Sequence, residues 1–173
     1  MTTKKTRECA LRPTSRHSLA WADARWRAAV PFLLLGFAAI IAGGLVAAVT
    51  GPTGFTDGSW VAAYLVLVAG VAQLGLGVGQ ALLAAVLPSG RLRGLQFAMY
   101  NGANAGVLIG TLTDVVPVVM VGGGLLLGAC ALFLSAVRHT RARPWQLRVY
   151  QSLLAILAVS VPVGLTLSAL GSG

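Results

Sequence analysis

The residues able to do chemistry in this chain are few, and those within its apolar runs are neutral. Gln73, Gln80, Gln96, Tyr100, Asn101, Asn104 and Thr111 lie inside long apolar stretches. There an amide or hydroxyl must bond another helix or line a polar cavity, because hydrocarbon offers it no partner. Gln73 and Gln80 are seven residues apart and share a helix face, with Gly77 between them and Gly75 and Gly79 on a neighbouring ridge. With Gln96 as origin, Tyr100, Thr111, Asn104 and Asn101 fall at about 40°, 60°, 80° and 140° on a helical wheel, one broad polar stripe. Gly102, Gly106 and Gly110 make two overlapping GxxxG spacings at about 240°, 280° and 320°, on the far side of the same helix.

Two readings of this stripe follow. In the first, Gln73, Gln80, Tyr100, Asn101 and Asn104 are ligand-binding residues lining a cavity for a small solute or a quinone head group. In the second, Gln73 and Gln80 bond Asn101 or Asn104 across a helix pair, each contact worth about 0.6 to 2 kcal/mol. Gly102, Gly106 and Gly110, together with Gly124 and Gly128, are helix-packing residues in either case, and within the chain more readily than between copies.

Other chemistry lacks its groups. No Asp, Glu, Lys, Arg or His falls inside an apolar span, so a proton path through the bilayer has no carboxylate. His17 and His139 lie on polar segments, which leaves haem, copper or zinc without ligands in the spans. Cys9 and Cys130 make neither a disulfide framework nor a metal spacing. The glycine runs GVGQA and GGG sit mid-span rather than in a phosphate-binding loop, and no nucleophile and base pair is evident. No enzymatic activity, metal or cofactor is expected.

The elements that carry these residues are membrane spans. The 173 residues are 57% hydrophobic and 10% charged, against roughly 25% charged in a soluble domain. Several apolar runs exceed the ~20 residues needed to cross about 30 Å of hydrocarbon. The sequence predicts an all-α, polytopic membrane protein with a five-helix transmembrane bundle. Residues 1–17 form a disordered basic tail, and 18–173 form a single transmembrane domain. Within it lie an interfacial helix over 18–30, carrying Trp21 and Trp26 between arginines, and spans over 28–50, 60–87, 95–113, 117–137 and 149–170. The first apolar run is too long for a cleavable signal and is expected to stay as an anchor.

Charge sets the orientation. All 13 positive residues fall on alternate segments: Lys4, Lys5, Arg7, Arg12, Arg16, Arg25 and Arg27; then Arg91 and Arg93; then Arg138, Arg141, Arg143 and Arg148. The intervening segments carry only Asp57 and Asp114. The positive-inside rule then places the amino terminus in the cytoplasm and the carboxyl terminus outside. The net charge of +9 is therefore a topology signal with contacts to anionic lipid, not a nucleic-acid footprint.

The stretch YLVLVAGVAQLGLGV from Tyr64, followed by NAGVLIGTL from Asn104, resembles a helix pair of small membrane proteins related to haem-copper oxidase subunit I and to the NnrS family. The resemblance covers residues 60–112. Where that pattern carries a haem-ligating histidine, this chain has Tyr64, so the resemblance implies a scaffold without its metal site and transfers only Gln73 and Asn104. The expectation is a non-enzymatic bacterial inner-membrane protein, an accessory or structural subunit of a membrane complex or a homo-oligomer, with the lipid bilayer as its first partner. The alternative is a small transporter or ligand-binding module with a neutral polar cavity between the second and third spans.

Overall fold

The computed structural model describes the backbone of residues 12–138, 140 and 143–171, and side chains from residue 22 to residue 160 within that set. Residues 1–11, including Cys9, and His139 lie outside the described residues, as does the His17 side chain. The described chain is all-helical, without strands.

Helix α1 runs unbroken from Arg12 to Thr53. Pro13 falls in its first turn, where a missing N–H costs nothing. The interfacial helix and the first span expected as separate pieces are thus one helix, which begins inside the segment expected to be tail. Pro31 sits within it, at a cost of about 3 kcal/mol in an isolated helix. Burial of Ala28, Ala29 and Phe32 around the proline offsets that cost.

Gly54, at φ 66°, turns the chain in the left-handed region open to glycine. Then α2 (Gly58–Tyr64), a π-helical segment (Leu65–Ala72) and α3 (Gln73–Leu83) make a second rod without a break. It ends at Leu83, four residues before the expected end of the span, and Ala84 after it is extended (φ −64°, ψ 124°).

Helix α4 (Gly90–Leu112) is capped by Ser89, whose Oγ accepts the Leu92 N–H at 3.3 Å. It closes with a Schellman motif. Asp114 takes φ 53°, its N–H donates to Thr111 O at 3.4 Å, and the Val115 N–H donates to Gly110 O at 2.9 Å. Helix α5 (Val116–Val137) starts with Pro117 in its first turn. Helix α6 (Pro144–Gly171) opens with the Gln146 side chain accepting the Arg143 N–H at 3.3 Å, half of a capping box.

Three helical stretches among the described residues are long and apolar enough to cross a membrane: Ala22–Thr53, Gly58–Leu83 and Val116–Val137. Helix α4 has the length at 23 residues, but Gln96, Asn101, Asn104 and Thr111 lower its apolarity.

Helix α1 packs along the whole second rod, α4 packs antiparallel on α5, and α6 lies against α5 and α3. Aromatic rings join the two halves. Phe32 of α1 meets Phe97 of α4 edge-on (centroids 5.4 Å apart) and Phe133 of α5 (5.7 Å), and Tyr100 meets Phe133 at 6.3 Å. Gly77 makes the room: a Cβ there would overlap the Cβ of Phe32.

Candidate functional site

The polar residues of the second rod and α4 meet in an antiparallel ladder. Gln80 Nε2 donates to Gln96 Oε1 at 3.1 Å, the Tyr100 hydroxyl to the Val68 carbonyl at 2.6 Å, and the Tyr64 hydroxyl to Asn104 Oδ1 at 2.9 Å. Gln96 Nε2 continues to the Leu132 carbonyl of α5 at 3.2 Å, tying three helices at one point. On α4 the rungs are Gln96, Tyr100 and Asn104, one helical turn apart. Gln96 and Tyr100 have no exposed surface, and Asn104 is buried.

The middle rung falls on the π-helical segment. Val68 lies in the π-helical segment, at whose end the Gln73 N–H also approaches Gly70 O. The Tyr100 phenol reaches the Val68 carbonyl from the neighbouring helix. A carbonyl oxygen has two lone pairs, so it can accept this hydroxyl beside a bond within its own helix.

The expected partners of Gln73 and Gln80 were Asn101 or Asn104, and the observed pairing differs. The short connection after Leu83 fixes an antiparallel register in which Gln80 faces Gln96, while Asn104, further along α4, faces Tyr64, earlier on the second rod. Asn101 is half-buried and donates to its own helix, at Phe97 O (2.8 Å). Asn104 Nδ2 likewise donates to Tyr100 O (2.9 Å). Gln73 lies between rungs, with no exposed surface, and neither its Nε2 nor its Oε1 has a partner among the described residues. Gln80 Oε1 and the Tyr150 hydroxyl are buried in the same condition.

No known protein family, characterised protein or solved structure matches this chain. The site must therefore be read from its own geometry.

The glycines divide into two sets. Gly106 and Gly110 of α4 face α5, where a Cβ on Gly106 would lie 3.2 Å from Gly122 Cα and one on Gly110 would lie 2.7 Å from Val119 N. A Cβ on Gly128 would lie 2.7 Å from Met99 Cε of α4. Gly102 and Gly124 point away from the bundle, and a Cβ on either would meet nothing within 4 Å.

Sequence reasoning missed a second polar cluster at the basic end. Arg25, assigned there to topology, is buried, and its Nη1 donates to the Ala81 carbonyl at 2.6 Å. Its Nη2 donates to the carbonyls of Ala84 at 2.9 Å and Ala85 at 3.4 Å. A guanidinium thus caps the last carbonyls of α3, where the helix dipole favours a cation. The Thr140 hydroxyl donates to the Leu83 carbonyl from the α5–α6 connection. The signal for Arg25 was its spacing: Arg25, Ala28, Ala29 and Phe32 fall on one helix face and all are buried.

Chemically, the ladder is a set of neutral donors and acceptors that bond one another. Among the described residues no group of three or more His, Cys, Asp or Glu side chains is placed to hold a metal ion, and Cys130 is a free, buried thiol.

Proposed function

We propose that the protein is a multi-pass protein of the bacterial inner membrane that acts without catalysis, as a structural or accessory subunit of a membrane complex. It crosses the bilayer five times, with its amino terminus in the cytoplasm and its carboxyl terminus outside. One observation carries the reading: of the five candidate ligand-binding residues, Gln80, Tyr100, Asn101 and Asn104 already spend hydrogen bonds within the bundle.

The placement of α4 supports its crossing. Its polar side chains turn inward, while Leu95, Ile109 and Leu112 are exposed. A helix of 23 residues with that division matches the thickness of a bilayer. Helix α1 contributes the surface a partner would use: Leu34, Phe37, Ile41 and Leu45 are each more than half exposed on a helix covered mainly on one side. Tyr64, at the place of a haem histidine in the resembled helix pair, is engaged with Asn104, which favours a scaffold without haem.

The test is isolation of tagged protein in mild detergent, with photo-crosslinkers at Leu34 and Ile41. A membrane protein recovered in fixed stoichiometry and crosslinked through α1 is the expected result. Recovery of a lone monomer with lipid adducts alone would overturn the accessory role.

The unpartnered amide of Gln73 favours a second reading, a ligand-binding or transport module. On that reading Gln73→Leu abolishes binding or flux while the fold persists. On the first reading, the same substitution leaves complex formation intact and does not destabilise the bundle, since it removes a buried polar group that lacks a bond.

A further inference from the structure

At the basic end, α1 and the start of α4 flank an open cavity of about 310 Å³ whose lining includes Arg27, Pro31, Phe32, Arg93, Gly94 and Phe97. Its composition has two parts. Two arginines, one from each helix, share the lining with the apolar residues Pro31, Phe32 and Phe97.

The arginines are poorly served by the protein. The Arg93 side chain makes no hydrogen bond or ion pair with any described residue, and its Nε is buried without a partner among them. Among the described residues the Arg27 side chain has a single hydrogen bond, from Nε to the Asp23 backbone carbonyl at 3.3 Å. Arg93 also folds back toward the first turn of α4, its Nη2 4.0 Å from where a Cβ of Gly90 would stand. That turn contains no acidic residue, and a helix N-terminus repels cations and attracts anions. Two positive side chains and a positive helix end converging on one cavity are mutually unfavourable until an anion joins them.

We infer that this cavity binds the phosphate of an acidic phospholipid, with Arg27 and Arg93 on the phosphate oxygens and the glycerol and upper acyl chain along Pro31, Phe32 and Phe97. The site rests on the basic end lying at a membrane interface and is independent of the accessory-subunit reading. Gly90 and Gly94 admit the head group because they put no side chain into the space. A Cβ on Gly94 would meet nothing within 4 Å.

Native mass spectrometry of protein in a neutral detergent, titrated with dioleoylphosphatidylglycerol or dioleoylphosphatidylcholine, tests this. The wild-type chain is expected to retain one phosphatidylglycerol and to prefer it to phosphatidylcholine. Replacing both arginines (Arg27→Gln with Arg93→Gln) should weaken retention about tenfold or more, as loss of two interfacial cations implies. Gly94→Leu should give a similar loss by filling the cavity, with no fall in the unfolding temperature of lipid-free protein, since leucine suits a helix better than glycine. Arg91→Gln, which removes a charge from the same turn but not from the cavity lining, should retain the lipid. Equal retention of phosphatidylcholine, or an Arg91→Gln loss as large as that of the double variant, would overturn the site in favour of diffuse attraction. Displacement of the lipid by inorganic phosphate at comparable concentration would overturn the lipid as occupant and assign the cavity to a soluble phosphate.

Discussion

The two helical hairpins of this bundle use glycine differently. Between α1 and the second rod, glycines face mainly side chains, Leu74 over Gly36, Val66 over Gly43, Ile40 over Gly70 and Phe32 over Gly77, with the Ala62 carbonyl 2.9 Å from a Cβ on Gly43 and the Gly70 carbonyl 3.2 Å from one on Gly36. Between α4 and α5, glycines bring backbone against backbone. A Cβ on Gly122 would lie 2.8 Å from Val107 N, 3.0 Å from Ala103 O and 3.1 Å from the carbonyl carbon of Gly106. A flexible side-chain end such as that of Leu74 above Gly36 can change rotamer to admit a methyl group, whereas two helix backbones must separate. The second hairpin is therefore the less tolerant, and it holds one side of the polar ladder.

Gly122→Ala sharpens that contrast most. It should cost about 3 kcal/mol, at the upper end for an overpacked core, read as denaturant unfolding in detergent. A loss as small as that of Gly36→Ala would break the distinction.

Arg25→Leu addresses the first hairpin. There Arg25 makes a buried polar link, and the substitution leaves the carbonyls of Ala81 and Ala84 without this donor. About 2 kcal/mol of destabilisation is expected, since each orphaned buried carbonyl costs about 1 to 3 kcal/mol and the freed helix end regains some solvation.

The ladder itself should contribute less. A double-mutant cycle of Gln80→Leu and Gln96→Leu is expected to give a coupling of about 0.6 kcal/mol, and not more than ~1.7 kcal/mol, as for other hydrogen bonds between membrane helices. A coupling near zero would mean that the amides belong to a ligand instead.

The smallest effect belongs to Gly124→Ala, two residues from Gly122 and facing outward. It should change stability by no more than about 0.5 to 1 kcal/mol, toward a more stable helix. Opposite signs for Gly122→Ala and Gly124→Ala would show that the environment, not the GxxxG spacing, decides what a glycine does.

Periodicity revealed the helices and the inward stripe on α4, because both depend on local spacing in a single helix. Which amide meets which does not, since it depends on where the second rod ends and how the π-helical segment sets its phase. One added residue in a turn rotates everything beyond it, and Gln73 consequently falls between rungs. The glycine motifs were likewise legible as packing, but not which of them packs. Gly102 and Gly124 have the same spacing as Gly106 and Gly128, yet nothing stands above them. Arg25 was hidden for a related reason. An arginine beside tryptophans at the start of a span reads as an interface anchor, and only the return of the chain at Ala81–Ala85 gives its guanidinium a buried set of acceptors.

The central claim is that α4 crosses the membrane, so that the basic segments share the cytoplasmic face. Single cysteines at Asp57, Arg91, Val115 and Arg138, in a chain carrying Cys9→Ser and Cys130→Ser, would be labelled in intact cells with a membrane-impermeant maleimide. Asp57→Cys and Val115→Cys should react from outside, and Arg91→Cys and Arg138→Cys only after permeabilisation. Labelling of positions 91 and 115 from the same side would contradict the crossing of α4 and the five-span account with it.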